Sequence, residues 1–215
     1  MFNIEESAFC TDHVHGVDKI YEEALAASFR VDPEASFLEI GNWKGGSAIT
    51  IMQAIRDSYP ERWMYTVDPY GLKPFRLKEE IQTEAKYDEV VYRDAMYNLD
   101  NFSRHYGLNH YHWRMMSEDY FKIADKVKFW YHGEPMDLKI GFAYIDGDHN
   151  HEVVEMETEW ILKHGVKGMT IVYDDTPYVF EKVHKYTSIA QEKGYINNWR
   201  TYWTDIDPEE VCGMC

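Results

Sequence analysis

Acidic and hydroxyl side chains recur at the ends of β-branched or aromatic runs in this chain. Glu39 lies near the end of the first run, Asp68 closes the second, and Ser117-Glu118-Asp119 follows the third. Asp146 closes the fourth and Asp174-Asp175 the fifth. One acid at such a point is the ordinary step from strand to loop, but repetition gathers them at one edge and makes a site. Asp146, Asp174 and Asp175 offer only carboxylate oxygens. Hard divalent cations (Mg²⁺ first, Ca²⁺ or Mn²⁺ next) take such donors, whereas zinc favours Cys and His. Crowded carboxylates without a cation would raise one another's pKa and repel. His149 follows three residues after Asp146, in Asp146-Gly-Asp-His149. The bland readings are that Asp175 or His149 caps a following helix and that Asp148 faces water.

The first run turns through Glu39-Ile40-Gly41-Asn42-Trp43-Lys44-Gly45-Gly46-Ser47 into a helical pattern. Glycine allows positive φ and close approach to the backbone, and a helix N-terminus offers N–H groups to an anion. The dinucleotide spacing G-x-G-x-x-G is absent. Asp68, one strand later, adds the stronger signal. A carboxylate there can accept both ribose hydroxyls of a nucleoside whose other end lies over the glycine turn.

These groups need a scaffold that aligns strand ends. Strands are expected over 36–41, 63–68, 110–115, 140–146 and 169–175. Ala48, Ile51, Met52 and Ile55 fall on one helix face, as do Val153, Met156 and Trp160 before Gly165. Val17, Ile20, Tyr21, Ala24 and Leu25 describe a further amphipathic helix. Alternating strands and helices predict an α/β, Rossmann-like, doubly wound and mainly parallel sheet with helices on both faces. No internal repeat or low-complexity tract divides the chain, so 1–215 reads as one domain. Within it, 1–30 is expected as a helical cover, with His13 and His15 at its lid. The long connections 69–109 and 126–139 are expected to choose substrate or make subunit contacts.

Composition narrows the partners. The 215 residues carry 38 acidic and 22 basic side chains, a net charge of −16 that opposes nucleic acid and anionic membrane. No apolar run approaches the roughly 18–20 residues of a membrane span, and the first residues lack a secretory signal pattern. Cys10, Cys212 and Cys215 form no disulfide framework, and Cys212-Gly-Met-Cys215 alone is weak evidence for zinc. A cytoplasmic protein is expected.

The ordered segments resemble the class I S-adenosylmethionine-dependent methyltransferases. They are most similar to the cation-dependent O-methyltransferases of catechol, caffeoyl-CoA, sugar and macrolide type. Glu39–Ser47 resembles that family's cofactor loop, and Tyr65-Thr-Val-Asp68 its ribose-binding strand end. Ser117-Glu118-Asp119 resembles its adenine border, while Tyr144–His149 and Val172–Thr176 resemble its two metal segments. The resemblance implies Glu39, Gly41, Trp43, Gly45 and Ser47 at the methionine end, Asp68 on ribose and Ser117 by adenine. It implies Asp146 both at the cofactor and in catalysis, with Asp146, Asp174 and Asp175 as metal ligands. Trp43 could add a cation–π contact to the sulfonium or simply cap the core. Where catechol and caffeoyl-CoA enzymes place a lysine base, this chain has His149, which points towards the sugar-type relatives.

The acceptor implied is a small hydroxylated molecule, with metal-independent N- or carboxylate methylation and a non-catalytic nucleotide-binding protein as alternatives. After Asp175, a helix over 180–192 and a strand over 199–203 are expected. The short remaining tail predicts a sheet edge trimmed or completed by a partner, hence a homodimer.

Overall fold

Each central strand divides its side chains between two cores, as the period of two along a strand demands. Phe37, Met64, Phe142 and Val172 enter one core, while Leu38, Tyr65, Ala143 and Ile171 enter the other. The computed structural model describes residues 16–71, 76–77, 80–81, 89–148, 150–174, 200–203 and 211–214.

The order begins α1 (Val17–Arg30), β1 (Ser36–Ile40), α2 (Gly46–Arg56) and β2 (Trp63–Val67). The short strands β3 (Arg76–Leu77) and β4 (Glu80–Ile81) follow, then α3 (Glu89–Tyr106), β5 (Asn109–Trp113) and α4 (Ser117–Ala124). Next come β6 (Phe129–Tyr131), β7 (Glu134–Met136), β8 (Ile140–Ile145), α5 (His151–His164) and β9 (Gly165–Tyr173). The described order closes with β10 (Arg200–Trp203) and β11 (Val211–Met214). The principal sheet runs β10-β11-β9-β8-β1-β2-β5. Its strands from β9 to β5 are parallel, and β11 is antiparallel to both neighbours. Residues of α1, α2 and α3 fill the first core, and those of α4 and α5 fill the second. The doubly wound expectation holds.

Several local expectations change. α2 is buried along its whole length from Gly46 to Ile55, not on one face alone, because α1 and α3 both pack on it. The buried stripe of α5 is Val154, Glu157, Thr158 and Ile161, one position away from the expected Val153, Met156 and Trp160, although Trp160 is also buried. Glu157 and Thr158 enter because each finds a polar partner, Ser117 and Tyr173 respectively. β9 starts directly at the extended C-cap Gly165 with no intervening loop.

The cover expected over 1–30 is, in its described part, a core helix with Ile20, Ala24 and Ala27 fully buried. Residues 1–15, with His13 and His15, lie outside the described residues, as does the helix expected over 180–192. The tail is not too short to finish the sheet, since β11 pairs with β9 and β10 with β11. The edge is completed within the chain, which removes the reason for inferring a homodimer from it. Connection 126–139 folds into the β6–β7 hairpin, whose Tyr131 hydroxyl donates to the Pro33 carbonyl at 3.4 Å. Its His132 lies 3.2 Å from Glu61. Pro33 and Glu61 precede β1 and β2, so the hairpin lies at the amino ends of the strands, opposite the glycine turn.

Candidate cofactor-binding and active site

The chain leaves β1 for β2 on one side and returns to β8 on the other. The carboxyl ends of β1 and β8 therefore flank the topological switch, where open α/β sheets bind ligands. Gly41 sits at that point with φ 82°, and a Cβ added there would lie 1.9 Å from the Asp146 carbonyl oxygen. Only glycine allows two main chains this close. The Gly41 N–H donates to the Val67 carbonyl at 2.9 Å, and the Asp146 N–H to the Ile40 carbonyl at 2.8 Å. Backbone bonds thus tie the ends of β2, β1 and β8 together.

Asp68 is 1% exposed beside this turn, and both its oxygens meet main-chain donors. Asn42 N–H donates to Oδ2 at 2.8 Å, and Tyr70 N–H to Oδ1 at 2.9 Å. Trp43 and Tyr70 both adopt left-handed backbone, at φ 42° and 41°. Non-glycine residues hold that conformation only where their surroundings fix it. Here the Tyr70 hydroxyl donates to the Trp43 carbonyl at 2.7 Å and accepts from Asn42 Nδ2 at 3.0 Å. Asn98 Nδ2 secures the next carbonyl, of Lys44, at 3.1 Å. Trp43 itself packs, half-buried, on the cluster of Tyr70, Val91 and Ala95. Asn42, Tyr70 and Asn98 were not singled out in the sequence, for they act on the turn and not as a recognisable motif.

α2 starts beyond Gly45 (φ 89°), an N-cap residue with no side chain of its own. A Cβ at Gly45 would come within 3.1 Å of Leu99 on α3. Ser47 is buried in the first turn.

Glu39 lies beneath the turn, 0% exposed. Neither carboxylate oxygen reaches a hydrogen-bond partner among the described residues. Burial pushes its carboxyl up to about 8, with Ser47 nearby offsetting part of the effect and Asp68 adding to it. On the neighbouring strands, Thr66 Oγ1 lies 3.0 Å from His110 Nε2 and 2.9 Å from His112 Nδ1. Burial pulls these imidazoles down to about 4 and about 3. They are neutral packing groups below Asp68.

Ser117 opens α4 just past β5, whose Trp113 carbonyl accepts from the Asp68 N–H at 3.1 Å. Its hydroxyl donates to Glu157 Oε1 on α5 at 2.6 Å. Glu157 is 1% exposed, its Oε2 has no partner among the described residues, and burial pushes its carboxyl up to about 8, with Asp148 adding to the rise. The sequence signal was available: Glu157 is an acid on the apolar side of an amphipathic helix.

On the other side of the switch, Asp174 N–H donates to the Ile145 carbonyl at 3.0 Å, which sets Asp174 beside Asp146 at adjacent strand ends. The buried Tyr144 hydroxyl donates to Asp174 Oδ2 at 2.8 Å. His149 and Asp175 lie outside the described residues. Among the described residues, no group of three or more His, Cys, Asp or Glu is arranged to hold a metal ion. The helix cap near His149 is Asn150, whose side chain accepts from Glu152 N–H at 3.2 Å. Asp148 instead accepts from Asn150 N–H at 2.8 Å.

This arrangement of strand order, glycine turn and acid after β2 defines the class I methyltransferase fold. Residues 38–176 match the family model described as a methyltransferase domain, and the chain belongs to that family. It is an S-adenosylmethionine-dependent methyltransferase. No curated protein sequence is detectably similar. Among solved structures, the calicheamicin methyltransferase CalS11 is 13% identical with a TM-score of 0.53, over 92% of this chain and 76% of that one. A precorrin-6y C5,15-methyltransferase from Geobacter metallireducens is 10% identical with a TM-score of 0.57, over 97% and 94%. An rRNA methylase from Streptococcus thermophilus is 10% identical with a TM-score of 0.54, over 95% and 96%. These likenesses establish the fold. No helix among the described residues is long and apolar enough to cross a membrane.

Proposed function

We propose that the protein transfers the methyl group of S-adenosylmethionine to a hydroxyl of a small acceptor, sugar-like or phenolic, with help from a divalent cation. The observation that carries the cofactor half is the buried Asp68 carboxylate, preset by two N–H groups beside the switch-point glycine turn. In this reading Asp68 accepts the ribose hydroxyls. Glu39, Gly41, Trp43, Gly45 and Ser47 surround the methionine end, with Asp146 across the switch and Ser117 beside adenine. The cofactor supplies an electrophilic methyl on a cationic sulfur, which an acidic, partly aromatic pocket suits.

For the acceptor half, the support is the pairing of Asp146 and Asp174 at adjacent strand ends, with Tyr144 fixing one Asp174 oxygen. With Asp175 they would hold Mg²⁺ or a similar ion, an all-oxygen donor set that would supply positive charge beside the acceptor hydroxyl. His149 takes the proton from that hydroxyl as it attacks. The net charge of −16 favours a small acceptor over a polynucleotide.

Calorimetric titration with S-adenosylmethionine and S-adenosylhomocysteine tests the first half. Asp68→Ala should weaken both by about 100-fold or more, the worth of two hydrogen bonds to a charged group. A panel of hydroxylated acceptors with added Mg²⁺ tests the second. There, chelation should abolish turnover, and His149→Ala should lower kcat by about 10²-fold or more and remove its acid limb. Turnover that persists in chelator would transfer the reading to metal-independent N- or carboxylate methylation.

A further inference from the structure

Glu157 has no part in the chemistry described so far, yet it is an acid placed where an acid is costly to the fold. It is 1% exposed, one oxygen has no partner among the described residues, and the nearby Asp148 carboxylate opposes its charge. Its helix neighbours on the buried stripe, Val154 and Ile161, pack in the apolar core, and a leucine would continue them. Among the described residues the Glu157 carboxyl makes one hydrogen bond, with Ser117, short at 2.6 Å and between two buried side chains on different helices. Ser117 stands at the start of α4, next to the strand end that holds Asp68, on the edge where a nucleoside seated on Asp68 would extend its base.

We infer that Glu157 is a positioning and specificity residue for the cofactor: by holding the Ser117 hydroxyl in one rotamer and one hydrogen-bonding sense, it lets the site tell adenine from its 6-oxo counterpart. This rests on the reading of Ser117 as the neighbour of adenine. A free hydroxyl rotates to donate or accept as the ligand requires. With its proton given to Glu157 Oε1, the Ser117 hydroxyl has only acceptor lone pairs left for a ligand. Adenine offers a 6-amino donor, which an outward acceptor matches, whereas hypoxanthine offers a 6-oxo acceptor there, which it opposes. The locked hydroxyl matches one base and opposes the other, and a site built to hydrogen-bond one partner rejects its mismatch more strongly than shape alone does.

The test compares S-adenosylhomocysteine with S-inosylhomocysteine by calorimetry in wild type, Glu157→Leu, Glu157→Gln and Ser117→Ala, with thermal melts beside them. Glu157→Leu should melt at the wild-type temperature or higher, because an apolar side chain replaces a buried, half-satisfied acid. It should nevertheless bind S-adenosylhomocysteine about tenfold more weakly, the scale of one neutral hydrogen bond, and lose most of the adenine preference. Glu157→Gln, which can still bond Ser117, should keep near wild-type affinity for S-adenosylhomocysteine. Wild-type affinity and preference in Glu157→Leu, with both lost in Ser117→Ala, would overturn the role of Glu157 alone. An unchanged Ser117→Ala would overturn it together with the placement of adenine, and a wild type that binds neither ligand would remove the cofactor site itself.

Discussion

Asp68 and Glu39 are neighbouring acids on paired strands, equally buried at 1% and 0% exposure, and they meet opposite fates. Asp68 accepts two backbone N–H bonds, whereas Glu39 accepts none among the described residues. The cause is where each sits along its strand. Glu39 lies inside β1, paired with Thr66 on one side and Tyr144 on the other, so the surrounding N–H groups belong to the sheet ladder. Asp68 lies just past β2, where the N–H groups of Asn42 and Tyr70 have left the ladder and turn towards it. A buried charge is tolerated where backbone donors meet it, and suppressed where they do not. The strand end is therefore where backbone donors can serve a buried carboxylate, and the strand interior where burial keeps a carboxyl neutral.

The severest way to break that contrast is to spoil the turn that brings the Asn42 N–H to Asp68. Gly41→Ala would set a Cβ 1.9 Å from the Asp146 carbonyl oxygen on a backbone at φ 82°. Neither main chain can retreat without losing the bonds that tie β1 to β2 and β8. A loss of about 3 kcal/mol or more is expected, visible as a large drop in the denaturation midpoint, together with loss of S-adenosylmethionine binding. A variant that melted and bound normally would show that the close approach at the switch is dispensable.

A second test uses pH. Glu39 and Glu157 each rise to about 8, from an ordinary 4.5. Between those limits the folded state holds more protons than the unfolded state, so stability falls as pH rises through this window. His110 and His112, lowered from 6.5 to about 4 and about 3, act oppositely, and their contribution is complete once pH exceeds 6.5. From about pH 6.5 to 8 the glutamates therefore act without opposition from these histidines, each with a slope of at most about 1.4 kcal/mol per pH unit. Denaturant melts across that window should show declining stability, and Glu39→Gln should reduce the slope by about half. An unchanged slope in Glu39→Gln would mean that Glu39 is ionised in the fold, and the contrast with Asp68 would disappear.

These differences also set what could be read from the sequence. The alternation of strands and helices was legible because period two and period 3.6 leave direct marks in the pattern, and Asp68, Asp146 and Asp174 stood out as acids closing apolar runs. Burial could not be read for Glu39, since an acid one residue inside a strand and one just beyond it look alike in sequence. The buried stripe of α5 was misplaced by one position because Glu157 and Thr158 are polar, and only their partners on other elements make them interior residues. Of the closing pair, β10 falls within the strand expected over 199–203, but β11 was missed because it is short and contains glycine, so its pairing comes from β9 and not from its own pattern. Asn42 and Tyr70 were invisible for another reason: what each gives Asp68 is a backbone N–H, which leaves no mark in residue type.

Tyr70 offers the mildest and most selective probe of the same contrast. Its N–H serves Asp68, while its hydroxyl separately pins Asn42 and the left-handed Trp43. Its own carbonyl is held by Arg114 at 3.1 Å, with the guanidinium 4.1 Å from the Tyr92 ring centroid. Tyr70→Phe should therefore keep the backbone donor on Asp68 and remove the hydroxyl bonds to the Trp43 carbonyl and the Asn42 amide. The expected cost is about 1–3 kcal/mol, or several degrees in Tm, with S-adenosylmethionine binding weakened less than in Asp68→Ala. If affinity fell as far as in Asp68→Ala, presentation of the carboxylate would depend on the side-chain brace as much as on the two N–H groups. If Tm fell while affinity held, the backbone donors alone suffice, and the contrast between strand end and strand interior accounts for how Asp68 is presented.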